Sequence, residues 1–218
     1  MSIKEMTVES LSESLAKNVP SPLCGNAVGA VSALALSLGG VASALPLVMH
    51  EKKPDAGETP RKKARELHDR FFSLADSDEK AQKSIVDALH APGITAEQKR
   101  RRHLQYNDVV FDGCNVSLEL MRACGEAIAL LEEYSHAESD LIRAACAEGL
   151  ALCAGAVRAL AVEVYARAAR MDKGARRESL CRSAQILTDM YAVTADGSYT
   201  KLAAVLAGIE DKTERGII

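Results

Sequence analysis

Three places along the chain combine residue types that can do chemistry. The first is Pro20-Ser21-Pro22-Leu23-Cys24-Gly25-Asn26. Pro20 and Pro22 force extended backbone, because each pushes the residue before it out of the α region. Gly25 permits a tight turn, and Asn26 is a good N-cap for a following helix. Backbone N–H groups gathered at a helix start favour anions or the polar edges of heterocycles, although an ordinary helix connection has the same sequence signature. The second place is the pair Lys52 and Lys53, followed by Arg61, Lys62, Lys63 and Arg65. These can hold carboxylates, or form no more than a solvated charge run. The third is Asp140, which opens an apolar helix. It can serve as an N-cap carboxylate, and a partly buried position there also suits a carboxylate that moves protons. The five histidines lack metal-ligand spacing, and no GxGxxG, P-loop or nucleophile elbow occurs, so no metal site is expected.

The elements that must position these residues are helices. Thr7 opens a short amphipathic helix over Val8–Lys17, with Leu11 and Leu15 on one face. Between Asn18 and Met49 there is no Asp, Glu, Lys, Arg or His. This stretch predicts a helix buried nearly all round, kinked or ended near Pro46. Gly25, Gly29, Ala33, Ser37, Gly40 and Ala44 recur at steps of three and four, so they share a face. Such a stripe admits another backbone closely, from the same chain or from a second subunit. The run is long enough to span a bilayer, but its glycines, serines and Pro46 make it weakly apolar, and no membrane span is expected.

Farther along, Thr59 and Pro60 start a helix that runs to about Leu89, with Phe71, Phe72, Leu74, Ala75, Ala81, Ile85, Ala88 and Leu89 on its buried side. Pro92-Gly93 breaks it. Thr95 to Gln98 is a capping-box pattern and starts a helix to about Tyr134, with a disturbance expected at Gly113. Ser139 or Asp140 caps a second small-residue helix to about Ala169, with Ala145, Gly149, Cys153 and Ala156 on one face. Gly174 ends it. A helix over Arg176–Tyr191, a turn at Asp196-Gly197 and a short helix over Thr200–Ile209 complete the reading. The expected architecture is an all-α bundle of long antiparallel helices, with the two Ala/Gly-rich helices at its centre and the whole chain as one domain.

Composition narrows the function. Hydrophobic residues make up 48% of the 218-residue chain and aromatics only 4%, so the core is built of Ala, Leu, Val and Cys. The formal net charge of −3 gives no case for nucleic acid as a partner. None of the six cysteines forms a CxxC pair, and most fall on apolar faces, where a free thiol behaves as a small hydrophobe. Without a secretory signal, a reduced, cytoplasmic setting is expected.

In this order the features resemble the cyclodeaminase/cyclohydrolase family, which comprises the C-terminal domain of formiminotransferase-cyclodeaminase and its free-standing relatives. The family's P-x-P-G-G-G-S loop corresponds to Pro20–Asn26, with Leu23 and Cys24 in place of two glycines. Its G-K-K-like motif corresponds to Glu51-Lys52-Lys53, its acidic D-A-x-A-F pattern loosely to Asp78–Gln82, and its S-D motif to Ser139-Asp140. Ser117 takes the place of a family proline. The resemblance covers about residues 1–191. It implies a dimeric helical bundle with a folate as small-molecule substrate and no metal or redox cofactor. The implied reaction is closure of 5-formimino-tetrahydrofolate to 5,10-methenyl-tetrahydrofolate with release of ammonia, or hydrolysis of the methenyl bridge. Asp140 and Lys52 would then be catalytic. Lys53 and the loop residues Pro22, Leu23, Cys24, Gly25 and Asn26 would bind substrate. A diverged member that binds without this catalysis, or an unrelated helical assembly protein, is the alternative.

Overall fold

A computed structural model of the chain describes residue 7 and residues 58–136 and 139–208. The expected Val8–Lys17 helix, the Pro20–Asn26 loop, the Asn26–Met49 helix and the Lys52-Lys53 pair lie outside these residues. Within them the chain is all-α, with four long helices: α1 (Glu58–His90), α2 (Ala96–Ser135), α3 (Asp140–Ala168) and α4 (Ala175–Leu206).

Local signals set most of the boundaries. The Pro92-Gly93 break separates α1 from α2 as expected. Thr95 is the N-cap of α2: its hydroxyl accepts from the Gln98 N–H at 3.2 Å, and the Gln98 side chain accepts from the Thr95 N–H at 3.1 Å. This reciprocal box satisfies two of the donors that a helix start leaves open. Ser139 precedes α3 without a side-chain cap bond. Gly174 opens α4 with φ 156° and ψ −177°, a conformation that favours glycine.

Three expectations need correction. Gly113 does not disturb α2, which runs unbroken past it. Asp196-Gly197 is not a turn. The segments on either side belong to one helix, α4. Burial of Ala192, Ala195 and Leu202 on either side of Gly197 carries α4 through the glycine, whose mid-helix cost is about 1 kcal/mol relative to alanine; Asp196 also pairs with Arg158 on α3, and the Ser198 hydroxyl donates to Glu132 on α2. Leu89 is exposed rather than buried, because the packed face of α1 at that turn is the one that carries Ile85 and Ala88.

Helix α3 packs against α2 and α4, and α1 packs along α2. The buried face of α3 carries Gly149, Cys153 and Ala156, together with Cys146, Leu150, Val157 and Leu160. A Cβ at Gly149 would stand 2.9 Å from a methyl of Leu131, so the missing side chain sets the α2–α3 separation. Gly125 does the same between α2 and α4: a Cβ there would lie 2.3 Å from the Tyr191 ring, which rests on the α2 backbone. Helix α3 is long and apolar enough to cross a membrane by length and composition, with a mean hydropathy of 1.6. Over half of that window is buried inside the bundle, which accounts for its apolar character as a core helix.

Candidate functional site

The strongest electrostatic feature lies in the interior, where α1, α2 and α3 meet. Asp78 on α1 and Glu163 and Arg167 on α3 are 0, 2 and 3% exposed. Glu163 and Arg167 stand four residues apart, so one face of α3 presents both. One terminal nitrogen of Arg167 donates to Asp78 Oδ1 at 2.8 Å, to the Gly113 carbonyl at 3.0 Å and to Ser117 Oγ at 3.1 Å. The other lies 2.6 Å from Glu163 Oε1. That approach is close but poorly aimed: neither Glu163 oxygen is engaged in a hydrogen bond, and neither are Nε and the second terminal nitrogen of Arg167. Gly113 matters here. A Cβ at that position would stand 3.0 Å from Ile85 Cδ1, so glycine relieves the α1–α2 contact beside the carbonyl that Arg167 reaches; the guanidinium, at 3.6 Å, would be at ordinary contact distance.

Burial and charge shift these groups in different directions. Burial pushes the Glu163 carboxyl up to about 8; the Arg167 charge opposes this and the Asp78 charge adds to it. Burial works against the Arg167 charge, but Asp78 and Glu163 outweigh it and hold the guanidinium above its ordinary pKa. Nearby, burial pushes the Cys114 thiol up to about 12 against the pull of Arg167. Cys146 and Cys153 are pushed up by burial to about 11 and about 12. These thiols are neutral core residues, not thiolate nucleophiles. A carboxyl that titrates near neutrality beside a buried ion pair is the kind of group acid–base catalysis uses.

The expected site residues fall elsewhere. Asp140 is the first residue of α3, but it is not partly buried. Its side chain is 78% exposed and is held by Arg143 one turn on, at 2.9 Å. Asp140 lies on the outward side of α3, whereas Ile142, two residues on, is buried. Lys62 is exposed and pairs with Glu66 at 3.9 Å. Lys63 lines a groove of about 580 Å³ between α1 and α2, whose wall includes Arg70, Glu126 and Glu133. Lys52, Lys53 and Pro22–Asn26 lie outside the described residues. Among those described, no group of three His, Cys, Asp or Glu residues converges to hold a metal ion.

Glu163 and Arg167 escaped the sequence reading, although a signal was present. They are an i, i+4 charge pair inside the otherwise apolar run Ala159–Ala168, on the face that carries Leu160 and Val164. Asp78 belongs to the acidic pattern of α1, and the structure places it on the buried side of that helix.

Known proteins give two points of comparison. The fold is similar to that of formiminotetrahydrofolate cyclodeaminase from Thermotoga maritima, with a TM-score of 0.74 over 95% of this chain and 98% of that one, at 14% sequence identity. No curated protein sequence matches the chain. The family profile described as formiminotransferase-cyclodeaminase matches residues 7–185, a span that runs from the N-terminal segment through α1, α2 and α3 into α4. The chain therefore belongs to the formiminotransferase-cyclodeaminase family.

Proposed function

We propose that the protein is a one-carbon folate enzyme that closes 5-formimino-tetrahydrofolate to 5,10-methenyl-tetrahydrofolate and releases ammonia. The observation that carries this reading is the family match over residues 7–185, which takes in Pro20–Asn26, Lys52, Lys53, Asp78 and Asp140. The name of the Thermotoga maritima neighbour points the same way.

In this reaction one folate nitrogen attacks the formimino carbon and gives a tetrahedral centre. With the formimino group in its protonated form, the attacking nitrogen loses a proton and the departing NH2 gains one as it leaves as ammonia, so the methenyl product keeps the positive charge. No oxidation state changes, so the chemistry calls for proton transfer and for stabilisation of cationic amidine character. A carboxylate suits both. Lys52 and Lys53 are assigned to the substrate's carboxylates or to proton transfer, and Pro22, Leu23, Cys24, Gly25 and Asn26 to the pterin or its bridge. Two carboxylates compete for the acid–base role. Asp140 has the family's motif position but is exposed beside Arg143. Asp78 is buried against Arg167, with Glu163 close by, and burial favours it. The reading brings with it a homodimer working in the cytoplasm.

Methenyl-tetrahydrofolate absorbs strongly enough for a direct spectrophotometric assay. The protein is expected to form it from the formimino compound. The same assay run as hydrolysis tests the cyclohydrolase alternative. Asp78→Asn, checked for fold by circular dichroism, should lower turnover by about 100-fold or more. Asp140→Asn should lower it less, and the reverse order would return the role to Asp140. No turnover in either direction, with no folate binding by calorimetry, would sink the proposal.

A further inference from the structure

We propose that the outward face of α3 is a dimer seam, on which the α3 of a second copy of this chain lies antiparallel. Large, small and charged positions on that face mirror one another about the middle of the helix, so the face complements itself.

The buried side of α3 packs against α2 and α4, yet the opposite side is apolar as well. Leu141, Leu152 and Val162 are 71, 41 and 59% exposed. From Leu141 to Ala166 the outward positions recur at alternating steps of four and three, and Glu148 is the one charge among them. A repeat of seven residues in two turns keeps a seam turned toward a partner helix, here along about 38 Å.

The two halves of this seam fit each other. A two-fold axis at the level of Cys153 and Ala154 sets Leu152 opposite Gly155 of the partner subunit, and Val162 opposite Ala145 of the partner subunit. The same axis sets Leu141 opposite Ala166 of the partner subunit. Each large side chain therefore meets a small one, as a knob meets a hole. Glu148 comes level with Ala159 of the partner subunit, with Arg158 of the partner subunit alongside. A parallel pair would instead bring Glu148 against its own copy.

Two further observations point to an occupant of this face. No described atom lies within 4 Å of where a Cβ on Gly155 would stand. Glycine destabilises a helix interior relative to alanine, and packing within the described chain gives no reason for one here. A leucine of a second copy gives that reason. Glu148 makes no ion pair among the described residues. Arg158, half exposed, pairs with Asp196 on α4 and keeps N–H groups to spare. Glu148 and Arg158 stand ten residues apart, about 15 Å along one helix, too far to meet within it. Across the antiparallel two-fold they come together.

The seam gives the expected homodimer a definite face and does not rest on the folate reaction, which has its own assay. Sedimentation of the full chain at micromolar concentration should show a dimer. Gly155→Leu adds a side chain where the monomer has open space and where Leu152 of the partner subunit must sit. It should fold, by circular dichroism, and raise the dimer dissociation constant by about 100-fold or more. Glu148→Arg and Arg158→Glu should each raise that constant by about 10-fold. Combined in one chain, they should recover most of the loss, because the two positions can compensate only across the two-fold. This second arm reads the seam even where Gly155→Leu does not fold. A monomer would overturn the seam and the homodimer together. A dimer indifferent to Gly155→Leu, or a double charge variant no tighter than its single parents, would overturn the seam alone.

Discussion

Two arginines in this bundle are each flanked by two carboxylates, and their surroundings make them opposites. On the outside of the α1–α2 pair, Arg70 lies 2.6 Å from Glu126 and 3.5 Å from Glu119, and all three side chains are at least 39% exposed. In the interior, Arg167 lies 2.8 Å from Asp78 and 2.6 Å from Glu163, with none above 3%. The outer group also includes Arg122, 2.6 Å from Glu119, so two guanidiniums meet two carboxylates there. Water screens these outer charges, so each contact contributes little. The inner charges have no such screen and depend on the groups packed around them. Contact distances alone do not separate the two. What separates them is whether the charges had to leave water.

Substitutions can break this contrast, and the largest effect is expected inside. Arg167→Met removes the guanidinium from beside two buried carboxylates and should lower stability by about 3–5 kcal/mol in urea unfolding near neutral pH. Ser117→Ala removes one of three acceptors from the same arginine nitrogen and should cost about 1 kcal/mol. Arg70→Met should cost at most about 1 kcal/mol, and less as salt is added. An Arg70→Met loss equal to that of Arg167→Met would abolish the distinction drawn between the two groups. A salt-independent loss at Arg70 would show that the outer group is shielded from solvent.

Much of the bundle was legible because the signals were local. The Thr95–Gln98 box and the Pro92-Gly93 break each rest on a few neighbouring residues and appear as read, and of the Ala145–Gly149–Cys153–Ala156 face all but the partly buried Ala145 is fully buried. The misreadings came where tertiary contacts override local preference. Asp196-Gly197 has turn composition, yet the buried face of α4 runs on through it from Ala192 and Ala195 to Leu202. Asp140 looked like a half-buried carboxylate because of the apolar residues after it, but burial depends on what packs over a helix end, which its own sequence does not record. The Asp78–Arg167 pair joins residues 89 apart. Its trace was charge on an apolar face, a pattern with meaning only once the fold brings a partner to it.

The Tyr191 ring seated on Gly125 has a consequence for how this alanine-rich chain selects one arrangement. Faces built of small, similar side chains offer many nearly equivalent ways to lie against one another. Sliding α4 by one residue turns its surface by about 100° and puts the methyl group of Ala192 where the ring had been, leaving the hollow over Gly125 unfilled. The ring and the bare backbone thus act as a key in a slot. They fix the longitudinal position of α4 on α2, and through it the alignment of Asp196 with Arg158 and of Ser198 with Glu132.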